Sequence, residues 1–319
     1  SWPVTVNANS IKYLIPEYWR TRTANDHKLM EAVSRPVGLL GEMEQSLGSY
    51  DESSDPGVPG DEIRAKFSLQ ILARQKPGFM TIHLAALDHL EHVTGPFSKE
   101  SKETVEAIDH LIATLIQTEL ANDPSATIVV VSDHGFIPVD RHINLTLPLI
   151  KEGLIRLKPS NGMETPRIAS WDAALWPAGG SAAVMLRDPV DEVLQRRVRG
   201  LLHRMKDDPR YSVARIVEQP ELTKLGGFPD AQFLIEMQPG AEPGYALTGP
   251  LEQPAPDTGT HGYLPDRPEM RAAFFILGKN IAAARNLGQI DMRQIAPTVS
   301  GLLGARLPTA KSTPLSVSK

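Results

Sequence analysis

From residue 61 onward the apolar positions switch repeatedly between helical and strand-like spacing. Ile63, Phe67, Ile71 and Leu72 recur at helical intervals, which predicts a helix over 61–74 with Asp61 as its cap. Lys76-Pro77-Gly78 stops it, and the run FMTIHLAAL at 79–87 predicts a short buried strand. Ser98 is placed to cap a long helix to about residue 120, with Val105, Ile108, Leu111, Ile112, Leu115 and Ile116 in one apolar stripe. Asn122-Asp123-Pro124 ends that helix, and TIVVVS at 127–132 predicts a second apolar strand. Before residue 61 the chain is punctuated by Pro and Gly. One helix is expected there, over 25–33 with Asn25 or Asp26 as cap, and 49–60 is expected to be a polar surface loop.

Helix and strand alternating, with continuously apolar strands, predict an α/β fold built on a mostly parallel sheet flanked by helices. After residue 145 the character changes. Strands at 181–186 and 232–237 and a helix over 190–205 with a basic outer face are separated by Pro-, Gly- and Asp-rich joints. A strand at 271–277 and a helix over 295–303, led by Asp291, return to the earlier style. The expected division is a catalytic core over 1–145, an inserted α+β cap subdomain over 146–250 and the rest of the core over 251–319.

Composition narrows the chemistry. There is no cysteine among the 319 residues, so thiolate nucleophiles and Cys-ligated zinc are excluded, and any metal site must use imidazole and carboxylate. A formal charge of −5 argues against a nucleic-acid duplex as partner but leaves room for a small phosphorylated substrate. No apolar run reaches the ~18 residues of a membrane span. Residues 1–4, Ser-Trp-Pro-Val, show no signal-peptide pattern.

Carboxylates and imidazoles cluster at the expected strand ends, where ligands bind in such sheets. Asp88 and His92 stand four apart, so a helical turn would set both on one face, ready to share a metal. His89 and Glu91 would then point elsewhere. The alternative is a polar loop with solvated histidines. Asp133-His134-Gly135 follows the second strand, either as two inward-facing ligands or as an ordinary turn with Asp133 as a cap. His261-Gly262 supplies a third cluster. Asp88, His92 and His261 group naturally around one ion, while Asp133 and His134 half-complete a second some ~4 Å away, as in two-metal phosphoryl chemistry. His83 is read as a core or site-supporting imidazole, Asp109 as structural, and His27, His110, His142 and His203 as surface residues. Gly179-Gly180 is read as a turn and not a phosphate cradle.

With these motifs assembled, the chain resembles the nucleotide pyrophosphatase/phosphodiesterase (type I phosphodiesterase) family of the alkaline phosphatase superfamily. The matching residues are Asp88-x-x-x-His92-x-x-Gly95-Pro96, Ser132-Asp133-His134-Gly135 and His261-Gly262-Tyr263. Met270, Ala296-Pro297-Thr298 and Leu302-Leu303-Gly304 extend the match, and Trp2-Pro3 looks like the family's Trp-Pro segment. The resemblance implies an alkaline-phosphatase-like fold and a phosphoric-ester hydrolase working through a phospho-enzyme intermediate. It also implies two divalent ions, Zn2+ by family habit, held by Asp88, His92, Asp133, His134 and His261, and a secreted or periplasmic setting.

Two parts of the family pattern lie upstream of the Trp-Pro segment: a strand ending in an Asp ligand, and a Thr or Ser nucleophile. Thr5, Ser10, Ser53 and Ser54 do not fit the nucleophile's context. The expectation is thus the C-terminal two-thirds of a catalytic domain, inactive alone, to which the missing N-terminal segment is a partner. The rival readings are a phosphonate-cleaving hydrolase of the same superfamily and a non-catalytic metal-binding remnant.

Overall fold

The structure, a computed structural model, describes residues 10–16, 23–159 and 166–319. Trp2, Pro3 and Thr5 lie outside the described residues. The chain opens with α1 (Ala24–Val33), capped reciprocally by the Thr23 hydroxyl and the Asp26 carboxylate. The cap is therefore Thr23, because the two side chains satisfy each other's backbone amides, and Asn25 and Asp26 fall inside the first turn. A second early helix, α2 (Leu39–Leu47), was not expected. Leu39, Leu40 and Met43 pack from it into a small core with Met30, Tyr50, Phe67 and Ile71.

Helix α3 (Val58–Gln75) starts three residues before Asp61, with Pro59 in its first turn, where a missing N–H costs nothing. Asp61 is wholly buried and is not the cap. The stretch before it lies largely at the surface, as expected, but carries short helical turns and buried side chains. A 3₁₀ turn spans Asp51–Ser54, and Tyr50 and Ser53 are buried.

The expected strand at 79–87 does not form. Residues 79–85 make no ladder among the described strands, Phe79 and His83 are exposed, and the chain coils into α4 (Ala86–Thr94). Apolar content suits a strand only where a neighbour satisfies its amides and carbonyls, and β1 (Thr127–Val131) takes its partner elsewhere. The long helix α5 (Lys99–Asn122) matches expectation, with the Ser98 hydroxyl accepting from the Ser101 amide.

Beyond β1 come β2 (Ile137–Asn144), α6 (Thr146–Lys151), β3 (Ile155–Leu157) and β4 (Ile168–Trp171). Next are β5 (Ala173–Ala178), β6 (Ser181–Leu186), α7 (Glu192–Asp207), β7 (Val213–Glu218) and α8 (Glu221–Leu225). The chain finishes through β8 (Ala231–Met237), β9 (Gly240–Gly244), β10 (Glu252–Pro254), β11 (Gly259–Thr260), β12 (Phe274–Gly278) and α9 (Ile295–Leu302). The class is mixed α/β. Among the described strands the ladders are mostly antiparallel: β5-β6-β8-β7 forms one sheet, β10-β2-β11 another, and β1 pairs with β12. Only β2 with β9 runs parallel among them. The expected parallel order presumed that 79–87 was a strand beside β1.

One face of the four-stranded sheet is covered by α7, whose Val198, Leu201, Leu202 and Met205 are buried against Val184, Phe233 and Ile235. The same core continues through Ile137, Ile143, Tyr263 and Met270, joining residues on both sides of the 146–250 segment. Among the described residues no helix is long and apolar enough to cross a membrane.

Candidate metal centre

Three chain segments meet at one edge of the fold. Helix α4 puts Asp88 in its first turn and His92 in its last, so the four-residue spacing sets both on one face. The turn after β1 carries Asp133 and His134. It is fastened to the approach to β12, where the Ser132 amide donates to Ala273 O, Ser132 Oγ accepts from the Ala273 amide at 2.8 Å, and the Gly135 amide donates to Met270 O. His261 follows β11, which pairs with β2 through Gly259 opposite Pro138 and Thr260 opposite Ile137.

The imidazoles converge on one carboxylate oxygen. Asp88 Oδ1 lies 3.6 Å from His261 Nε2, 3.8 Å from His134 Nε2 and 3.9 Å from His92 Nε2. His92 Nδ1 donates to Gly259 O at 2.9 Å; a carbonyl can only accept, so this bond places a proton on Nδ1 and turns Nε2 toward Asp88. His134 Nδ1 makes the same kind of contact, with its own neighbour's carbonyl at Gly135, at 3.3 Å. The His134 and His261 rings stack at 3.7 Å, and Phe136, itself buried, sits within 4.8–5.7 Å of all three rings.

Burial and the neighbouring His134 push His261 down to about 4, only partly offset by the Asp88 carboxylate, so its ring is neutral at pH 7. Neutral imidazole is the form that binds metal.

All five candidates are thus drawn together, but not in the two groups expected. The tightest set is Asp88, His134 and His261, whose ligand atoms all lie within 4.8 Å of one another. His92 stands just outside it. Asp133, 82% exposed at its side chain, reaches only His134, at 3.5 Å. The stack of His134 on His261 draws His134 away from a separate site with Asp133 alone. The donor set fits a divalent ion. Three imidazole nitrogens and a carboxylate oxygen facing one another are the donor types a divalent ion takes. Their 3.6–3.9 Å separations are near the ~3.4 Å expected between two ligands each ~2.0–2.1 Å from a tetrahedral ion.

Two residues near the centre escaped the sequence reading. Glu91 was expected to face away, yet burial and then the Asp88 carboxylate raise its pKa, while His134 and His92 pull it down, so it borders the cluster. Asp257 Oδ2 comes within 3.7 Å of His92 Nδ1; nothing in its Pro-rich surroundings distinguished it. His142, expected at the surface, is instead half-buried and bonded through Nδ1 to Glu242 at 2.8 Å, because β2 and β9 set the two side by side. His83, expected as a core or supporting imidazole, is exposed, in a stretch that is neither helix nor strand.

Gly179-Gly180 is the turn of the β5–β6 hairpin, as expected. The Gly180 amide donates to His261 O at 2.6 Å, so the hairpin turn seats directly on the ligand's backbone. Gly262 has φ +78°, and a Cβ there would collide with the Ala178 carbonyl. The His-Gly pairing follows from this close approach.

A model of the type I phosphodiesterase/nucleotide pyrophosphatase family matches residues 2–264. No curated protein matches the sequence. Among solved structures, human ectonucleotide pyrophosphatase/phosphodiesterase 5 aligns with TM-score 0.57 and 17% identity, over 80% of this chain and 61% of that one. The murine protein of the same name aligns with TM-score 0.56 and 16% identity, as does its inactive variant in complex with AMP. This chain spans 61% of the length of those relatives, and at such identities the likeness concerns the fold. The family match covers most of the chain and takes in every one of the five converging residues: the chain belongs to the type I phosphodiesterase/nucleotide pyrophosphatase family.

Proposed function

We propose that the protein is a metal-dependent phosphoric-ester hydrolase of the phosphodiesterase/pyrophosphatase type, acting on a nucleotide or another small phosphodiester. The observation that carries this is the convergence of His92, His134 and His261 Nε2 on Asp88 Oδ1. Asp88, His134, His261 and His92 would hold one divalent ion, and Asp133 would contribute to a second. Histidine with carboxylate suits Zn2+. Bound there, such ions supply Lewis-acid charge to a phosphoryl oxygen.

The chain's own residues do the rest of the work assigned to them. Gly259 and Gly135 carbonyls hold the rings of His92 and His134 in the ligating tautomer. Phe136 walls the cluster from solvent on the core side, and neutral His261 avoids a positive charge where a cation must sit. The expected division into core (1–145 and 251–319) and cap (146–250) remains our proposal for how substrate choice is separated from metal binding.

The test is hydrolysis of bis-p-nitrophenyl phosphate alongside zinc titration calorimetry. Zinc binding is expected of these 319 residues themselves, and turnover that rises with added Zn2+ and stops with a chelator where the family's Thr or Ser nucleophile is also present. Asp88→Asn should weaken zinc by more than the ~10–100-fold that loss of a ligand's supporting partner costs. Unchanged zinc affinity in that variant would sink the assignment.

A further inference from the structure

Helix α4 has no side-chain cap of its own: Ala85 stands at its N-cap position and offers no acceptor. The cap comes from another helix. Asp61, fully buried on α3, accepts the Ala85 amide on Oδ1 at 2.9 Å and the Ala86 amide on Oδ2 at 3.0 Å. A buried carboxylate spanning two adjacent amides fixes both the axial position and the rotation of the helix it holds, and it favours the positive end of the helix dipole. Its charge is balanced by Arg64, whose Nη2 and Nε donate to Oδ1 at 2.6 and 3.0 Å. Arg64 in turn reaches the carbonyls of Ser53 and Asp55.

Asp88 is two residues beyond the second captured amide, in the same first turn, and His92 follows one turn later. We propose that Asp61 is a positioning residue for the metal centre, acting through α4 to set the Asp88 carboxylate against the His134 and His261 rings. It rests on the metal reading of the site. The Arg64–Asp61 pair by itself would be a structural device; what distinguishes the positioning role is that the same carboxylate grips the ligand-bearing helix.

The test uses the 319-residue chain with Zn2+ and Co2+ as probes. Asp61→Asn keeps the size of the side chain but offers one acceptor where two amides need one each. Arg64→Lys keeps a positive charge beside Asp61 and leaves both Asp61 oxygens on the Ala85 and Ala86 amides, while giving up the paired Nε and Nη2 donors and the reach to Ser53 and Asp55. Expected are a Zn2+ affinity about tenfold lower in Asp61→Asn, an altered Co2+ absorption spectrum, and Arg64→Lys within about twofold of the unaltered chain. Equal losses in both variants, or none in Asp61→Asn, overturn the proposal. Should Asp61→Asn not fold, Asp61→Glu retains the ion pair while displacing α4, and the same loss is expected. In the unaltered chain, Zn2+ must also slow hydrogen exchange at the Ala85 and Ala86 amides, since coupling is reciprocal; unchanged exchange overturns it as well. If the unaltered chain binds no Zn2+, the metal reading itself falls, an outcome separate from zinc binding that ignores Asp61.

Discussion

Phe136 is a phenyl ring whose neighbours are three imidazoles, within 4.8–5.7 Å of each. Replacing it with alanine removes the apolar wall behind the ligands and leaves a cavity, at a cost of ~3–5 kcal/mol. Urea denaturation of Phe136→Ala should show that loss in its midpoint. Gly262 works at the same scale by having no side chain. Its left-handed backbone and the abutting Ala178 carbonyl predict that Gly262→Ala costs more than ~1 kcal/mol, read from the same denaturation curves. A variant as stable as the unaltered chain would contradict the packing of the hairpin on His261. At this scale the sequence was most informative. The grouping of Asp88, His92, Asp133, His134 and His261 was legible, the first two from their four-residue spacing and the rest from turn signals, although the strand expected to end at Asp88 is not there. Glu91 and Asp257 were not, since their roles depend on contacts between segments far apart in the chain.

The helices show where local pattern suffices and where it fails. Helix α5 was readable from Ser98 and its apolar stripe, and α7 from its amphipathic spacing after Asp191. Helix α2 was hidden by the glycines and proline around it, although Leu39, Leu40, Met43 and Leu47 hold helical spacing. It is held to α1 partly through His27, whose Nδ1 lies 2.9 Å from Asp51 and whose Nε2 lies 3.4 Å from Glu44. The hydrogen bond to Asp51, with Glu44 adding to it against the cost of burial, raises the His27 pKa above 6.5. A group held above its unfolded value contributes stability that is fully present below about pH 6.5 and is lost as pH rises through the folded value. Thermal melts of the unaltered chain and His27→Gln should therefore differ more near pH 6 than near about pH 9. A gap that widens with pH would show that the three groups do not form this link. The 79–87 stretch is the opposite case: apolar sequence alone wrote a strand where none of the described strands provides a ladder.

For the molecule as a whole, the proposed metal centre joins α4, the turn after β1 and the end of β11, which are brought together only by folding. Zn2+ that binds the folded chain and not the unfolded one stabilises it by ~2.7 kcal/mol at a hundredfold excess over Kd. The melting temperature should therefore rise with zinc and fall back on adding a chelator, and a melting curve indifferent to both would argue against a folded-state site. The α/β class was legible from the alternation of elements. The direction of the ladders was not, because it depends on pairings between β1 and β12 or β2 and β9, more than 90 residues apart in sequence. The β5–β6 turn rests on the His261 backbone. If the 146–250 segment selects substrate and His261 holds metal, as we propose, a lineage that remodels residues 173–186 also shifts His261, so changes of diet and changes of grip must evolve in step.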